Sequence, residues 1–108
     1  MTSLTSLKTT FKFIDRQHSE TQMYLSGWAF SSGIFTIPDT VNVIIITHYS
    51  PKDIVIEFPD ILKHCNVDSV SCIGFSLGAY CVLDLYQLYP EQINSALCYS
   101  CREKYSEK

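Results

Sequence analysis

Apolar residues recur in two rhythms along this chain of 108 residues, and the alternation between the two predicts the fold. Short apolar runs bounded by polar or turn residues read as strands: "FKFI" (11–14) as an edge strand, "TQMYLSG" (21–27), "VNVIIITH" (41–48), "DSVSCIG" (68–74) and "INSALCYS" (93–100). Between the later runs the spacing turns helical. "VIEFPDILKHC" (55–65) is mostly helix, and "LGAYCVLDLYQLYP" (77–90) carries Leu77, Tyr80, Cys81, Leu85 and Leu88 on one stripe and stops at Pro90. Only Asp84 and Gln87 break the apolar character of that last helix, so it is expected to pack against a sheet inside a larger body. Strands separated by helices predict right-handed crossovers, hence an α/β domain with a mainly parallel sheet of about five strands and flanking helices. Residues 1–20 read as an edge segment, and no repeat, low-complexity tract or linker divides the chain.

The stretch "CIGFSLGAY" (72–80) puts Ser76 between Gly74 and Gly78. Gly-x-Ser-x-Gly alone arises by accident in roughly 4% of chains this long, so its flanks must decide whether the serine is chemical. Before it, Val70, Cys72 and Ile73 follow the polar "NVDS" and suit a central strand buried on both faces. After it a helix begins at once. That order is a nucleophile elbow, in which a strained turn lifts a serine hydroxyl clear of the sheet. Ser76 is therefore the candidate nucleophile, expected at positive φ. Gly74 and Gly78 supply the room where strand and helix come closest.

Composition narrows the partners. The net charge is −3 and the eight Lys and Arg are scattered, so no basic stripe invites nucleic acid. No apolar run approaches the roughly 20 residues of a membrane span, and "MTSLTSLKTTFKFIDRQ" lacks a signal-peptide core, so a cytoplasmic location is expected. Of the five cysteines, Cys65, Cys72 and Cys81 fall in or beside apolar runs and read as reduced core thiols. Cys98 and Cys101 form Cys-x-x-Cys, but no second pair completes a zinc site and the pair closes a strand instead of opening a helix, so strand-end cysteines are the reading preferred over metal or redox chemistry. No metal and no cofactor are expected.

The order of these parts, together with "YLSGWAFSSGIF" (24–35), resembles the N-terminal half of an α/β-hydrolase. It is most similar to the carboxylesterases that cleave pimeloyl-carrier-protein methyl esters in biotin synthesis. That resemblance implies an oxyanion hole formed by the main-chain N–H groups of Trp28 and Leu77, and a small-molecule or carrier-bound ester as substrate. "SALCYSCREKYSEK" (95–108) resembles the family's sixth strand and the Arg-x-x-Tyr after it, at Arg102 and Tyr105; the likeness thus covers about residues 20–108. Ser26 stands where many relatives have His, and Ala29 where they have Gly.

The triad of this fold runs Ser, then Asp or Glu, then His. His18, His48 and His64 all precede Ser76. His48, at the end of its strand, is the best placed as a base, yet in the family's strand order a third strand separates it from the nucleophile, and an ordinary polar strand end is the preferred reading. His64 and Glu103 read as solvated. The whole chain, 1–108, is thus expected to be a partial α/β-hydrolase domain ending after the sixth strand, without lid or C-terminal part: a serine carboxylesterase-type piece with elbow and oxyanion loop but no triad His. The alternative is an inactive remnant or interaction module on the same scaffold. In either case "INSALCYS" is expected to be an unpaired edge, open to self-association.

Overall fold

The computed structural model describes residues 7–25 and 39–99, the last of them in its main chain only. Among these residues five strands form one sheet: β1 (Thr10–Ile14), β2 (Thr21–Leu25), β3 (Asn42–His48), β4 (Val70–Phe75) and β5 (Ile93–Tyr99), in the order β1-β3-β2-β4-β5. β1 runs antiparallel to β3, and every other pairing is parallel. Helix α1 (Pro51–Cys65) joins β3 to β4, and α2 (Leu77–Leu88) joins β4 to β5. Both connections step the same way across the sheet. Right-handed crossover therefore lays both helices on one face.

The alternation of each strand sorts its side chains between that face and the other. Met23 and Leu25 of β2, Ile44 and Ile46 of β3, and Val70 and Cys72 of β4 meet Ile54, Phe58, Ile61 and Leu62 of α1 and Cys81, Val82 and Leu85 of α2 in the main core. Tyr24, Val41, Val43 and Ile73 form a smaller cluster on the opposite face. Phe58 is the largest wholly buried side chain among the described residues, and its burial contributes about 1.5–3 kcal/mol.

α1 starts four residues before its apolar periodicity does. Ser50 caps it, its Oγ accepting a hydrogen bond from Asp53 N at 3.1 Å, and Pro51 occupies the first turn, where its missing N–H costs nothing. Pro59, inside the helix, is a different matter. It cannot donate to the carbonyl of Val55 one turn back, which should be left without a partner. The hydroxyl of Tyr89 donates to that oxygen at 2.6 Å, and the Tyr89 ring lies 5.2 Å from that of Phe58. Tyr89→Phe is therefore expected to cost about 1–2 kcal/mol by orphaning the carbonyl. In a Pro59→Ala background the helix supplies its own N–H, and the same change should cost under about 0.5 kcal/mol. Urea unfolding of the four proteins in that cycle measures the coupling.

The connection from β1 to β2 is fastened by Asn42 at the foot of β3. Its Oδ1 accepts from Arg16 N (2.8 Å) and His18 N (3.3 Å), while its Nδ2 donates to His18 O (2.8 Å) and Thr21 Oγ1 (3.1 Å). The segment before β1 is tied to α1 by Glu57, whose carboxylate accepts from Lys8 N and Thr9 N, both at 2.9 Å. Burial acts to raise the pKa of Glu57, but the main-chain donors Lys8 and Thr9 and the charge of Lys8 outweigh it and hold the carboxyl below its ordinary value of 4.5. A depressed folded-state pKa stabilises the fold above the unfolded value and loses that stabilisation as pH falls through the folded one. The urea midpoint should accordingly drop as pH falls below 4.5, and Glu57→Gln should remove that part of the pH dependence.

Candidate active site

β4 delivers the chain to the carboxyl edge of the sheet, and α2 leaves from the very next residue after Ser76. Ser76 itself has φ 60° and ψ −122°, outside the helical and strand regions. A side chain held there costs on the order of 1–3 kcal/mol, which the surrounding packing must supply. Ser76 is exposed. A serine ahead of a helix normally spends its Oγ on the first-turn N–H groups, yet Ser76 makes no such capping bond.

The glycines explain how so abrupt a turn is possible. Both have negative φ, so the requirement is space. A Cβ on Gly74 would stand 2.5 Å from Gly78 O and 2.7 Å from both Gly78 C and Ala79 Cα. The first turn of α2 rests directly on the bare Cα of Gly74. Leu77 N opens that turn, where main-chain donors lack helical acceptors, and it has no acceptor among the described residues. No acidic residue occupies the first turn of α2, so the positive end of the helix dipole stays uncompensated beside Ser76. A serine oxygen and an unspent N–H at a helix N-terminus are what acyl transfer needs of this corner.

Trp28, the other expected oxyanion donor, lies outside the described residues, as do Ser26, Ala29, Cys101, Arg102, Glu103 and Tyr105. His48 ends β3 exposed and is the Cα partner of Thr10 on β1, on the side turned away from the elbow. β2 lies between β3 and β4, which sets His48 about 9.6 Å, two strand spacings, to the side of the elbow. His18 belongs to the loop held by Asn42 at the opposite end of the sheet, and His64 packs edge-on against Phe11 of the distant edge strand, ring centres 6.1 Å apart. The structure brings no histidine of this chain beside Ser76.

Cys65, Cys72 and Cys81 are buried free thiols. Burial pushes Cys65 up to about 11 and Cys72, with nearby Cys98, up to about 12. Cys81 is raised to about 11 by burial and then by Asp84, against a hydrogen bond with Tyr49 that lowers it. Thiols so raised are poor nucleophiles. Cys98 lies within β5, and its Sγ contacts Ala79 O at 3.6 Å. Nothing in the sequence singles out Tyr49, thirty-two residues from Cys81. It nonetheless ties the end of β3 to α2 just beyond the elbow. Among the described residues no three His, Cys, Asp or Glu side chains converge as metal ligands, and no helix is long and apolar enough to cross a membrane. A polar cleft of about 430 Å³ opens between Asp15, Gln17, His18, Asn42 and Asp68. It lies at the far end of the sheet from Ser76 and so contributes nothing to this site.

This arrangement superposes on a probable hydrolytic enzyme of Pseudomonas aeruginosa with a TM-score of 0.68 at 19% identity, over 83% of this chain and 36% of that one. A marine microorganism esterase gives 0.70 at 18%, over 86% of this chain and 41% of the esterase. An epoxide hydrolase of Bacillus megaterium gives 0.67 at 11%, over 85% and 38% respectively. The chain has the α/β-hydrolase fold. At these identities the likeness is one of fold, and this α/β-hydrolase sheet spans about two fifths of the length of the enzymes it matches. No protein-family model matches the sequence, and no curated protein does.

Proposed function

We propose that this chain carries the nucleophile side of a serine hydrolase of the carboxylesterase type. The observation that supports it is the backbone of Ser76, φ 60° and ψ −122°, in an exposed residue at a strand-to-helix turn whose side chain is not engaged in capping. Ser76 Oγ attacks the carbonyl carbon of an ester. Its proton passes to a base and on to the leaving alcohol as the acyl carbon–oxygen bond breaks, and water then releases the acid from the acyl-serine. Leu77 N–H, with Trp28 N–H as the second donor, holds the oxyanion. The substrate is a small-molecule or carrier-bound ester, and the likeness in "YLSGWAFSSGIF" favours a pimeloyl-carrier-protein methyl ester. Free buried thiols suit a cytoplasmic setting.

The chain's histidines stand elsewhere, so the base comes from another stretch of polypeptide. In the order Ser, acid, His, both partners would fall in the part of the matched enzymes that this chain does not span. An added base should therefore reveal the nucleophile. With p-nitrophenyl acetate and free imidazole, mass spectrometry is expected to find acetyl accumulating on Ser76 above every other serine. Acetylation of Ser76 no faster than that of exposed Ser95 would sink the proposal. A second reading, an inactive interaction module, is favoured by the absence of a histidine beside Ser76 and by the open side of β5, which among the described residues pairs only with β4.

A further inference from the structure

At the amino-terminal end of the parallel strands, opposite the elbow, two loops line the polar cleft of about 430 Å³. One connects β1 to β2 and the other leads from α1 into β4. The volume is that of a small-molecule site, about 300–1,000 Å³. Positive φ is uncommon outside glycine, and the described residues hold three such cases: Ser76 at the elbow, Gln17 at 58° and Asn66 at 59°. The last two both line this cleft, one from each loop.

Asn66 is the left-handed residue that ends α1, a position asparagine tolerates. Gln17 ends no helix. Its conformation is imposed by hydrogen bonds around it: Arg16 and His18, on either side, both donate their main-chain N–H to Asn42 Oδ1, and Gln17 N donates to Asp15 Oδ1 at 2.8 Å. Three consecutive main-chain donors are thus fixed before any ligand arrives, which lowers the ordering cost of binding.

The polar groups left over set the chemistry. Thr21, only 2% exposed, lines the cleft. Its Oγ1 accepts from Asn42 Nδ2 at 3.1 Å, and its own hydroxyl proton has no acceptor among the described residues. A buried donor in that state is costly, and a ligand oxygen that accepts from it recovers the loss. His18 Nδ1 accepts from Glu20 N at 3.0 Å, which puts the ring proton on Nε2 as a second donor. Against these donors stand the carboxylates of Asp15 and Asp68, acceptors only. Asp68 and the side-chain amides of Gln17 and Asn66 make no hydrogen bond to protein among the described residues. A cation would satisfy the carboxylates but gives Thr21 and His18 nothing to donate to. An anion would face two carboxylates. A hydroxyl group serves both sets, because it donates and accepts. Phe13, partly exposed in the same lining, offers apolar surface to ring carbons.

We propose that this cleft binds a neutral polyhydroxyl ligand, a sugar of one or two rings, whose hydroxyls donate to Asp15 and Asp68 while one of its oxygens accepts from Thr21. The site is separate from the elbow, so the inference stands whether or not Ser76 is catalytic.

Amide chemical shifts of the isotope-labelled 108-residue chain, titrated in turn with glucose, galactose and maltose to about 100 mM, test it at the millimolar affinity of a small open site. At least one sugar should move the amides of 15–21 and 66–69 saturably and leave those of the elbow, 74–78, in place. Asp68→Ala should weaken that binding about tenfold and Thr21→Val about fivefold. Asn66→Gly, which keeps the left-handed turn and removes the amide, should weaken it about threefold, while Asp60→Ala, exposed on α1, should change nothing. The proposal is overturned if none of the three sugars gives a saturable shift, or if the response survives both Asp68→Ala and Thr21→Val. Spermidine binding the same amides more tightly than every sugar overturns it too, by making the carboxylates a cation site. If circular dichroism shows Thr21→Val unfolded, Asp68→Ala, at an exposed residue, decides alone.

Discussion

Turnover of p-nitrophenyl acetate by the purified chain alone is expected to be feeble and to survive both Ser76→Ala and His48→Ala unchanged. A serine hydroxyl is a weak nucleophile unless a base stands within hydrogen-bond reach, about 2.6–3.2 Å. β2 keeps His48 about two strand spacings, near 9.6 Å, to the side of the elbow, and a histidine side chain does not close that gap. Triad members act as a unit. A site without its base retains only what binding and the oxyanion donors give, on the order of 10³–10⁴ over water where the pocket is complete. Here Ser76 is exposed, so water weakens even that. Steady-state rates of the three proteins provide the check. A burst followed by turnover that both substitutions abolish would make His48 the base and the chain a working hydrolase by itself. The imidazole experiment separates this shortfall of base from a failure of Ser76 as nucleophile.

The strands were legible because each is a short run with apolar residues between turn signals, rich in β-branched residues in β3 and mixed with small residues in β4 and β5. The elbow was legible because glycine spacing and an immediate helix coincide at Ser76, whose φ of 60° is what that turn demands. Other features depend on contacts between residues far apart in sequence. The start of α1 at Pro51 precedes its apolar periodicity, and Pro59 inside the helix is tolerated through Tyr89, thirty-four residues beyond Val55. The pairing of β1 with β3 depends on the knot around Asn42, which joins positions more than twenty residues apart. Periodicity marked Leu77, Tyr80, Cys81, Leu85 and Leu88 as the stripe of α2; Cys81 and Leu85 are buried as that stripe requires, whereas Tyr80 and Leu88 are exposed, and Gly78, in contact range of Gly74, and Val82 are buried in their place. Small residues carry no weight in a hydrophobic pattern, so a contact made through bare main chain leaves no trace in it.

That contact carries the largest expected effect on stability. Gly74→Ala adds one methyl group, and all three atoms it would meet at 2.5–2.7 Å are main chain: Gly78 O, Gly78 C and Ala79 Cα. No rotamer change can relieve such a clash. Either α2 lifts from β4, withdrawing Val82 and Leu85 from the core they share with Phe58 and Cys72, or β4 moves out of register with β2 and β5 on its two sides. Overpacking a well-filled site costs about 1–3 kcal/mol when neighbouring side chains can adjust. With only backbone to move, the loss should be about 3 kcal/mol or more, a large share of a small domain's stability. The melting temperature should then fall by roughly 12–24 °C, at about 4–8 °C per kcal/mol for a chain of this size. Ser95→Ala, at an exposed position on β5, should shift it by no more than about 4 °C. Circular dichroism melts of the three proteins distinguish the outcomes. If Gly74→Ala melted within a few degrees of wild type, the helix would have room to spare at the turn, and the tight strand-to-helix junction that holds Ser76 at positive φ would not be what fixes its geometry.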